Sequence, residues 1–290
     1  MIKAEDLKIQ EEEEIKRMEM QRLEEELYVD PNEDIEHPPL AISYGEHRVG
    51  SEMYPTPIAT LGNIVFIQAP PKSTKTFFVS LLSSIYLGGN SDKYAGGLKG
   101  HRDGRCLFHF DTEQGKFHAQ RVFKRTLRMT GLDNECYHTY GLRSLSAKQR
   151  VDFIEYCLYD KQNAENIGMC IIDGVADLVE DVNDISGSNE AIQRLMRWSQ
   201  ELNCTILTVI HTNIGTDKPT GHLGSALQKK CETSIQLEKV KDQNEVLVTC
   251  KQSRNFPFED FAYKIDEVGL PTVIDSDAFL FRDTKIDNFK

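Results

Sequence analysis

Apolar runs and amphipathic stretches alternate from Leu61 onward, in the order expected of repeated strand and helix units. Beyond Gly221 the pattern changes to short strand-like runs, which are typical of antiparallel strands. The chain is therefore predicted to be an α/β protein with a mainly parallel central sheet and C-terminal antiparallel strands. The predicted strands are residues 64–68, 106–110, 137–140, 169–172, 205–210, 234–238 and 246–250, and the predicted helices are 75–87, 118–130, 147–161 and 189–202.

The N-terminal segment has a different pattern. Residues 3–27 are mostly Glu, Lys, Arg, Leu and Met without Gly or Pro, a composition that favours helix. The apolar positions do not keep a strict heptad, so we expect a solvated or partner-dependent helix, with a coiled coil as the alternative. Prolines at 31, 38 and 39 break it. The predicted organisation is an acidic helical extension at 1–36, a linker or lead-in at 37–60 and one domain at 61–290.

Charge is unevenly distributed along the 290 residues, whose formal net charge is −12. Residues 1–36 hold 14 acidic and 5 basic side chains, whereas the remainder holds 32 and 29. A nearly neutral domain can carry a local basic surface, so a nucleic-acid partner stays possible. The apolar runs are too short for a membrane span, and the N-terminus lacks the order of a secretory signal, so we expect a cytoplasmic protein. Seven scattered cysteines exclude a disulfide framework and a CxxC zinc site.

A phosphate-binding loop is predicted directly after the strand at 64–68. The consensus GxxxxGK[ST] surrounds phosphates with backbone N–H groups, places a Lys against their charge and binds Mg²⁺ through the hydroxyl. Both consensus glycines are replaced here, by Ala69 and Thr74, although glycine is normally used where φ is positive. The candidate nucleotide-binding residues are Ala69, Pro70, Pro71, Lys72, Ser73, Thr74, Lys75, Thr76 and Phe77.

Polar side chains follow three further predicted strands, where ligands bind in open α/β sheets. Glu113 follows the strand at 106–110 and is a candidate general base for water, with a solvated loop carboxylate as the alternative. Asp173 ends the strand at 169–172 and, with Thr76, is a candidate for the Mg²⁺ shell. His211 ends the strand at 205–210 and is a candidate sensor of the γ-phosphate, acting on the loop at 215–224; a strand-end cap is the alternative.

In this order, these motifs resemble those of RecA-like P-loop ATPases related to the RepA-type plasmid helicases, and most of all the AAA-type ATPases on mobile elements of Bacteroidetes-like bacteria. The resemblance runs from about residue 61 to 271. In that group the loop tolerates the Lys-Ser-x-Lys-Thr form that residues 72–76 reproduce. The resemblance to this family implies a RecA-like core and ATP and Mg²⁺ as ligands. It also implies a homo-oligomeric ring or filament with nucleotide at the subunit boundary. Other matching segments are residues 111–114, 172–174, 195–199 and 221–225.

The resemblance also implies trans-acting residues and has two departures. The segment at 251–255 is similar to the Lys-Gln-Arg-Asn stretch of DnaB-type helicases, which implies that Lys251 and Arg254 reach the neighbouring subunit's nucleotide. Read as an isolated pattern, the two are surface charges. Related proteins usually carry basic residues where this chain has Ile214 and Thr220. The basic groups that would contact DNA or sense phosphate in those proteins are therefore replaced at these two positions.

Three functions fit these observations to different degrees. The first is a helicase or translocase that hydrolyses ATP on single-stranded DNA, in replication or transfer of a mobile element. The second is a non-motor subunit that uses ATP occupancy to assemble on DNA or to recruit a primase, relaxase or recombination partner, for which the acidic helix would be a docking segment. A metabolic kinase is disfavoured because the sequence shows no lid-like Arg cluster or second substrate site.

Overall fold

The computed structural model describes residues 4–71, 74–133, 135–160, 166–213, 216, 218–240 and 244–274, with backbone only for 4–10 and 160. It divides into two compact units, Met1–His37 and Pro38–Lys290. The first unit contains helix α1, Ala4–Leu27, whose described side chains are almost all exposed. Dense like charge without an apolar stripe explains that exposure, since nothing on the helix favours burial. Among the described residues, no helix is both long and apolar enough to cross a membrane.

The second unit alternates strands and helices as the hydrophobic pattern predicts. Its described strands are β1 Leu40–Val49, β2 Glu52–Thr60, β3 Ile64–Ala69, β4 Leu98–Gly100, β5 Cys106–Asp111, β6 Tyr137–Gly141, β7 Ile167–Asp173, β8 Thr205–His211, β9 Thr233–Lys239, β10 Glu245–Ser253, β11 Phe261–Ile265 and β12 Pro271–Ile274. Its described helices are α2 Lys75–Leu87, α3 Asp92–Ala95, α4 Lys116–Thr130, α5 Ala147–Glu155, α6 Ile185–Glu201 and α7 Gly221–Lys230.

The main sheet has nine described strands in the order β12-β11-β10-β9-β3-β8-β7-β5-β6. From β9 to β6 neighbouring strands are parallel, whereas β10, β11 and β12 are added antiparallel. The parallel strands β3, β7 and β8 are buried nearly throughout, since helices cover both faces of the sheet. The carboxyl ends of β3, β5, β7 and β8 therefore lie along one edge.

Two hydrophobic clusters hold the layers together. One lies on the sheet face covered by α2 and includes Phe78, Leu81 and Tyr263. The other lies on the face covered by α5, α6 and α7 and includes Trp198 and Leu223. The strand that precedes the phosphate loop contributes alternate residues to each cluster, because successive side chains on a strand point to opposite faces. This fixes β3 in the centre of the fold.

Within residues 37–60, predicted as a linker or lead-in, residues 40–60 form a β-hairpin. Strands β1 and β2 pair antiparallel, and β4 adds to β1 in a separate three-stranded sheet. Tyr44 lies with its ring centroid 4.4 Å from that of Phe261. Prolines at 55 and 57 obscure the strand pattern of β2 in the sequence, but they pair on an edge strand, where a missing N–H is tolerated.

Two helix boundaries also differ from the prediction. Helix α6 begins at Ile185, four residues before the predicted start, because the Asp184 carboxylate accepts the Gly187 N–H at 2.7 Å and caps the first turn. Helix α5 ends at Glu155 and continues as a π-helical turn over Tyr156–Asp160. Residue 161, the predicted end of that helix, lies outside the described residues.

Candidate functional site

Four polar side chains converge at the carboxyl edge of the parallel strands. Lys75 opens α2 after β3, Glu113 follows β5, Asp173 ends β7 and His211 ends β8. Strand register aligns the ends, since Ala69 pairs with His211 and Asp111 with Asp173. This is the arrangement expected for a ligand site in an open α/β sheet.

The phosphate loop enters α2 through a strained residue. Thr74 has φ 68° and ψ 21°, the left-handed conformation for which the consensus has glycine. Its carbonyl accepts the Phe77 N–H at 2.9 Å, which starts the helix. Ala69 is fully buried and Pro70 and Pro71 are exposed, whereas the predicted contacts Lys72 and Ser73 lie outside the described residues.

A chain of polar contacts joins Lys75, His211 and Glu113. The Lys75 Nζ lies 2.7 Å from His211 Nδ1, and His211 Nε2 lies 3.5 Å from Glu113 Oε1. An ammonium group only donates, so Nδ1 accepts and Nε2 carries the proton that points toward Glu113. This contact with His211 lowers the pKa of Glu113, which stays a carboxylate able to accept a proton. Burial lowers the pKa of Lys75, against the attraction of Glu113 and Asp173.

Glycine at position 174 allows Glu113 to reach His211 across β7. A Cβ on Gly174 would lie 2.4 Å from Glu113 Oε1 and 2.9 Å from its Cδ, so a larger residue here would force the Glu113 side chain out of this position. The adjacent Thr112 anchors the same turn through a 2.8 Å hydrogen bond from its hydroxyl to the Gly174 carbonyl. Sequence reasoning missed this role of Gly174; the signal was a glycine immediately after the strand-terminal Asp173.

The two strand-terminal aspartates have different partners. Asp111 accepts the backbone N–H groups of Glu113 and Gln114 at 3.1 and 2.8 Å, and so shapes the turn that carries Glu113. The Oδ2 of Asp173 is buried and has no hydrogen-bond partner among the described residues. Burial, with Asp111 and Glu113 nearby, raises the pKa of Asp173 to about 8. A buried carboxylate oxygen without a partner is costly, and a cation would satisfy it.

The donor set fits Mg²⁺. An unpartnered Asp173 oxygen lies at the same edge as Thr76, which follows Lys75 in the first turn of α2. Oxygen ligands of these two kinds are what Mg²⁺ takes when substrate phosphates complete its shell. No cluster of three or more His, Cys, Asp or Glu among the described residues forms a separate metal cage. The site therefore suits a metal that arrives with phosphates.

Phe77 faces away from this polar chain. Its ring lies under the Arg125 guanidinium, 3.8 Å from ring centroid to Cζ, and Arg125 Nη1 also donates to the Thr76 carbonyl at 3.2 Å. Arg125 belongs to α4, the helix that begins just after Glu113. Arg125 thereby joins α2, which begins with Lys75, to α4, which follows the turn that contains Glu113.

Arg254 follows the end of β10 at the opposite edge of the sheet, and Lys251 lies within β10 between residues that pair with Ile235 and Ser234. Ser253 pairs with Thr233, which pairs with Val65, and Val65 precedes Ala69 by four residues, about 13 Å along β3. Lys251 is exposed on β10. Arg254 donates to the Lys230 carbonyl at 3.0 Å. The structure therefore does not bring either residue to the phosphate loop of its own subunit.

The fold and this edge site define a class: an α/β P-loop protein with a mostly parallel sheet. Residues 55–217, more than half of the chain, match the family described as AAA domain. The chain belongs to that family.

A crystal structure of the RadB recombinase is similar to this fold, with a TM-score of 0.53 and 14% sequence identity over 76% of this chain and 94% of that chain. A comparison with curated proteins gives no match. At 14% identity the likeness concerns the fold alone. The predicted α/β, RecA-like fold class is confirmed, and the family supports a RecA-like P-loop ATPase. The narrower resemblance to RepA-type helicases receives no support from these matches.

Proposed function

We propose that this protein binds MgATP at the carboxyl edge of the sheet and hydrolyses it. The observation that carries the proposal is the chain of polar contacts from Lys75 through His211 to Glu113, beside the unpartnered oxygen of Asp173. P-loop ATPases generally bind ATP with Mg²⁺, and a cation, a carboxylate and a metal-ligand oxygen are the parts that phosphoryl transfer needs.

Each residue has a distinct role in this proposal. Lys75 neutralises the β- and γ-phosphates, with the loop residues 69–76 around them, while Asp173 and Thr76 hold the metal. Bound Mg²⁺ would neutralise charge on the phosphate oxygens. Glu113 orients the attacking water and accepts its proton. In this structure the Lys75 ammonium is hydrogen-bonded to His211. Binding of phosphate would draw the ammonium away, so His211 would lose this hydrogen bond and be free to change position.

A change in the position of His211 can reach helix α7 through hydrogen bonds to Thr220. Its carbonyl accepts the Thr220 N–H at 3.1 Å and the Thr220 hydroxyl at 2.8 Å, immediately before α7 begins at Gly221. A shift of His211 would therefore move the start of α7, which supports the proposed γ-phosphate sensing. Thr220, where relatives carry a basic residue, makes this connection here. Ile214 and Gly215 lie outside the described residues.

Loss of the Lys75 cation should weaken nucleotide binding. We expect Lys75→Ala to raise the Kd for MgATP about 10- to 100-fold, because a hydrogen bond to a charged group contributes about 1.5–3 kcal/mol. Isothermal titration calorimetry measures the change. Lys148→Ala, an exposed lysine on α5, is the matched control. Unchanged affinity in Lys75→Ala would mean that the nucleotide binds elsewhere.

Helix α4 supports the proposal that single-stranded DNA is the polymer partner. Between Lys116 and Thr130 it has five Lys or Arg and no acidic residue, in a chain of net charge −12. Exposed basic and aromatic side chains on one helix suit a phosphate backbone with unstacked bases. Those exposed residues are Lys116, Phe117, Arg121, Lys124 and Arg128.

Charge reversal on α4 should weaken DNA binding and reduce its salt dependence. For Arg121→Glu with Lys124→Glu we expect at least about 10-fold weaker binding to single-stranded DNA, and a log K against log salt slope smaller by about 1.4, because each lost phosphate contact removes about 0.7. Fluorescence anisotropy across salt concentrations measures both. Lys148→Glu with Lys264→Glu changes net charge equally outside α4. Equal loss in this control would assign the effect to net charge alone.

A motor and a non-motor subunit both remain compatible with this site. The motor proposal is an oligomeric helicase or translocase in DNA replication or transfer of a mobile element, and the alternative is an ATP-dependent binding or scaffold subunit that recruits a primase, relaxase or recombination partner through its acidic helix. DNA-stimulated ATP turnover with strand separation would support the motor. ATP-dependent assembly on DNA without stimulated turnover would support the scaffold.

A further inference from the structure

In the phosphate loop of this chain, Thr74 replaces the second consensus glycine and adopts a backbone conformation that favours glycine. Thr74 keeps the left-handed backbone, with φ 68°, that the glycine would adopt freely. A β-branched residue is disfavoured in that conformation because its Cβ approaches the following carbonyl. Among the described residues only Asp103 and Asn203 are other non-glycine residues with positive φ, and both types tolerate it through short polar side chains. Something besides intrinsic preference must therefore hold Thr74.

Tyr263 makes the contacts that hold it. Its hydroxyl donates to the Thr74 carbonyl at 3.2 Å and lies 3.2 Å from the Thr74 Oγ1, which can donate in return. Tyr263 is fully buried, and its ring stacks on Phe78 of α2 with centroids 5.7 Å apart and planes at 15°. Burial raises the pKa of Tyr263, so its hydroxyl keeps the proton that it donates. A rigid, buried ring thus presents one hydroxyl to both polar groups of Thr74.

We propose that Tyr263 is a positioning residue that locks the phosphate loop in its nucleotide-binding conformation by fixing Thr74 in the left-handed region. The inference rests on the proposed MgATP site. Lys75 follows Thr74 directly, so the orientation of Thr74 determines where Lys75 begins and where the first N–H groups of α2 point. Strand β11, far from the loop in sequence, thereby becomes part of the nucleotide site. In a loop with glycine at this position the lock would be unnecessary.

A double-mutant cycle tests the lock. Tyr263→Phe removes only the hydroxyl, and Thr74→Gly restores free access to positive φ. We expect Tyr263→Phe to weaken MgATP binding about 3- to 10-fold, in line with the loss of one or two hydrogen bonds. We expect Thr74→Gly to bind at least as tightly as the parent, and Tyr263→Phe to change affinity less than about 2-fold in the Thr74→Gly background. Calorimetry gives Kd, and thermal unfolding of each variant gives Tm.

Tyr86→Phe is the matched control, since Tyr86 is also buried on the α2 side of the sheet but belongs to the last turns of that helix. It should leave the Kd for MgATP unchanged. If Tyr263→Phe lowers Tm but binds MgATP like the parent, Tyr263 only supports the core and the inference is wrong. An equal loss of affinity in both Thr74 backgrounds would also overturn it. A parent protein that binds no MgATP would overturn the proposed function itself, and the inference with it.

Discussion

Glu113→Gln is expected to bind MgATP about as tightly as the parent and to hydrolyse it at least about 100-fold more slowly. A residue that orients water and accepts its proton acts in the transition state, so its loss lowers kcat and leaves ground-state binding intact. The geometry favours this role. Glu113 is held ionised beside His211, packs against Gly174 and interacts electrostatically with Lys75.

The contrast with Asp173 makes the Glu113 prediction specific. Asp173→Asn should weaken Mg²⁺-dependent nucleotide binding, because it removes charge from the carboxylate that has the unpartnered oxygen. Calorimetry with and without Mg²⁺, together with steady-state ATP turnover, separates the two variants. Glu180→Gln, an exposed carboxylate beyond β7, is the matched control and should leave both properties unchanged. Equal loss of binding in Glu113→Gln and Asp173→Asn would make Glu113 a metal-shell or structural residue.

Arg254→Ala is expected to lower ATP turnover about 10³-fold or more while one subunit still binds ATP, as loss of an arginine finger does. The structure restricts how this can happen. Arg254 lies at the edge of the sheet opposite the phosphate loop, so a direct contact between Arg254 and a bound phosphate requires the nucleotide of another subunit. Lys251, on the strand β10 that precedes Arg254, is the second candidate for contact across that boundary.

Mixing two inactive proteins is the decisive measurement. Glu113→Gln subunits retain Arg254, and Arg254→Ala subunits retain Glu113, so a mixed assembly would contain sites that pair both intact residues. Partial recovery of ATP turnover at intermediate ratios is expected. Native mass spectrometry would establish that the assemblies are mixed. No recovery in mixed assemblies would mean that Arg254 does not act in trans.

A structural role for Arg254 needs its own control, because Arg254 and Asn255 are hydrogen-bonded to the buried residue Glu232. Glu232 accepts the Thr60 hydroxyl at 2.6 Å and the Asn255 side-chain amide at 2.8 Å, and its carbonyl accepts the Arg254 N–H at 2.9 Å. Asn255→Ala should lower Tm by loosening this cluster, with turnover per folded subunit largely retained. If Asn255→Ala and Arg254→Ala lose ATP turnover equally, the loss in Arg254→Ala is explained by the damaged Glu232 cluster and not by a missing trans-acting arginine.

The sequence by itself determined the α/β class, the strands of the parallel sheet and the residues at their carboxyl ends. Buried parallel strands read as continuous apolar runs, and the polar residue that ends each run stands out against them. Asp173 and His211 end such runs, Glu113 follows one closely, and Lys75 is identified by the phosphate-loop pattern. Parallel strands bring these carboxyl ends to one edge regardless of sequence separation. Their chemical roles in this chain stay predictions.

Only the tertiary structure decided which of these residues touch and what holds them. Strand order places β8 and β7 between β3 and β5, so His211 bridges Lys75 and Glu113, and Gly174 gives Glu113 its path. The pairing of β1 with β4 and the contact between Thr74 and Tyr263 join segments far apart in the chain. Local patterns carry no information about such pairings, because they depend on which faces of distant strands and helices pack together.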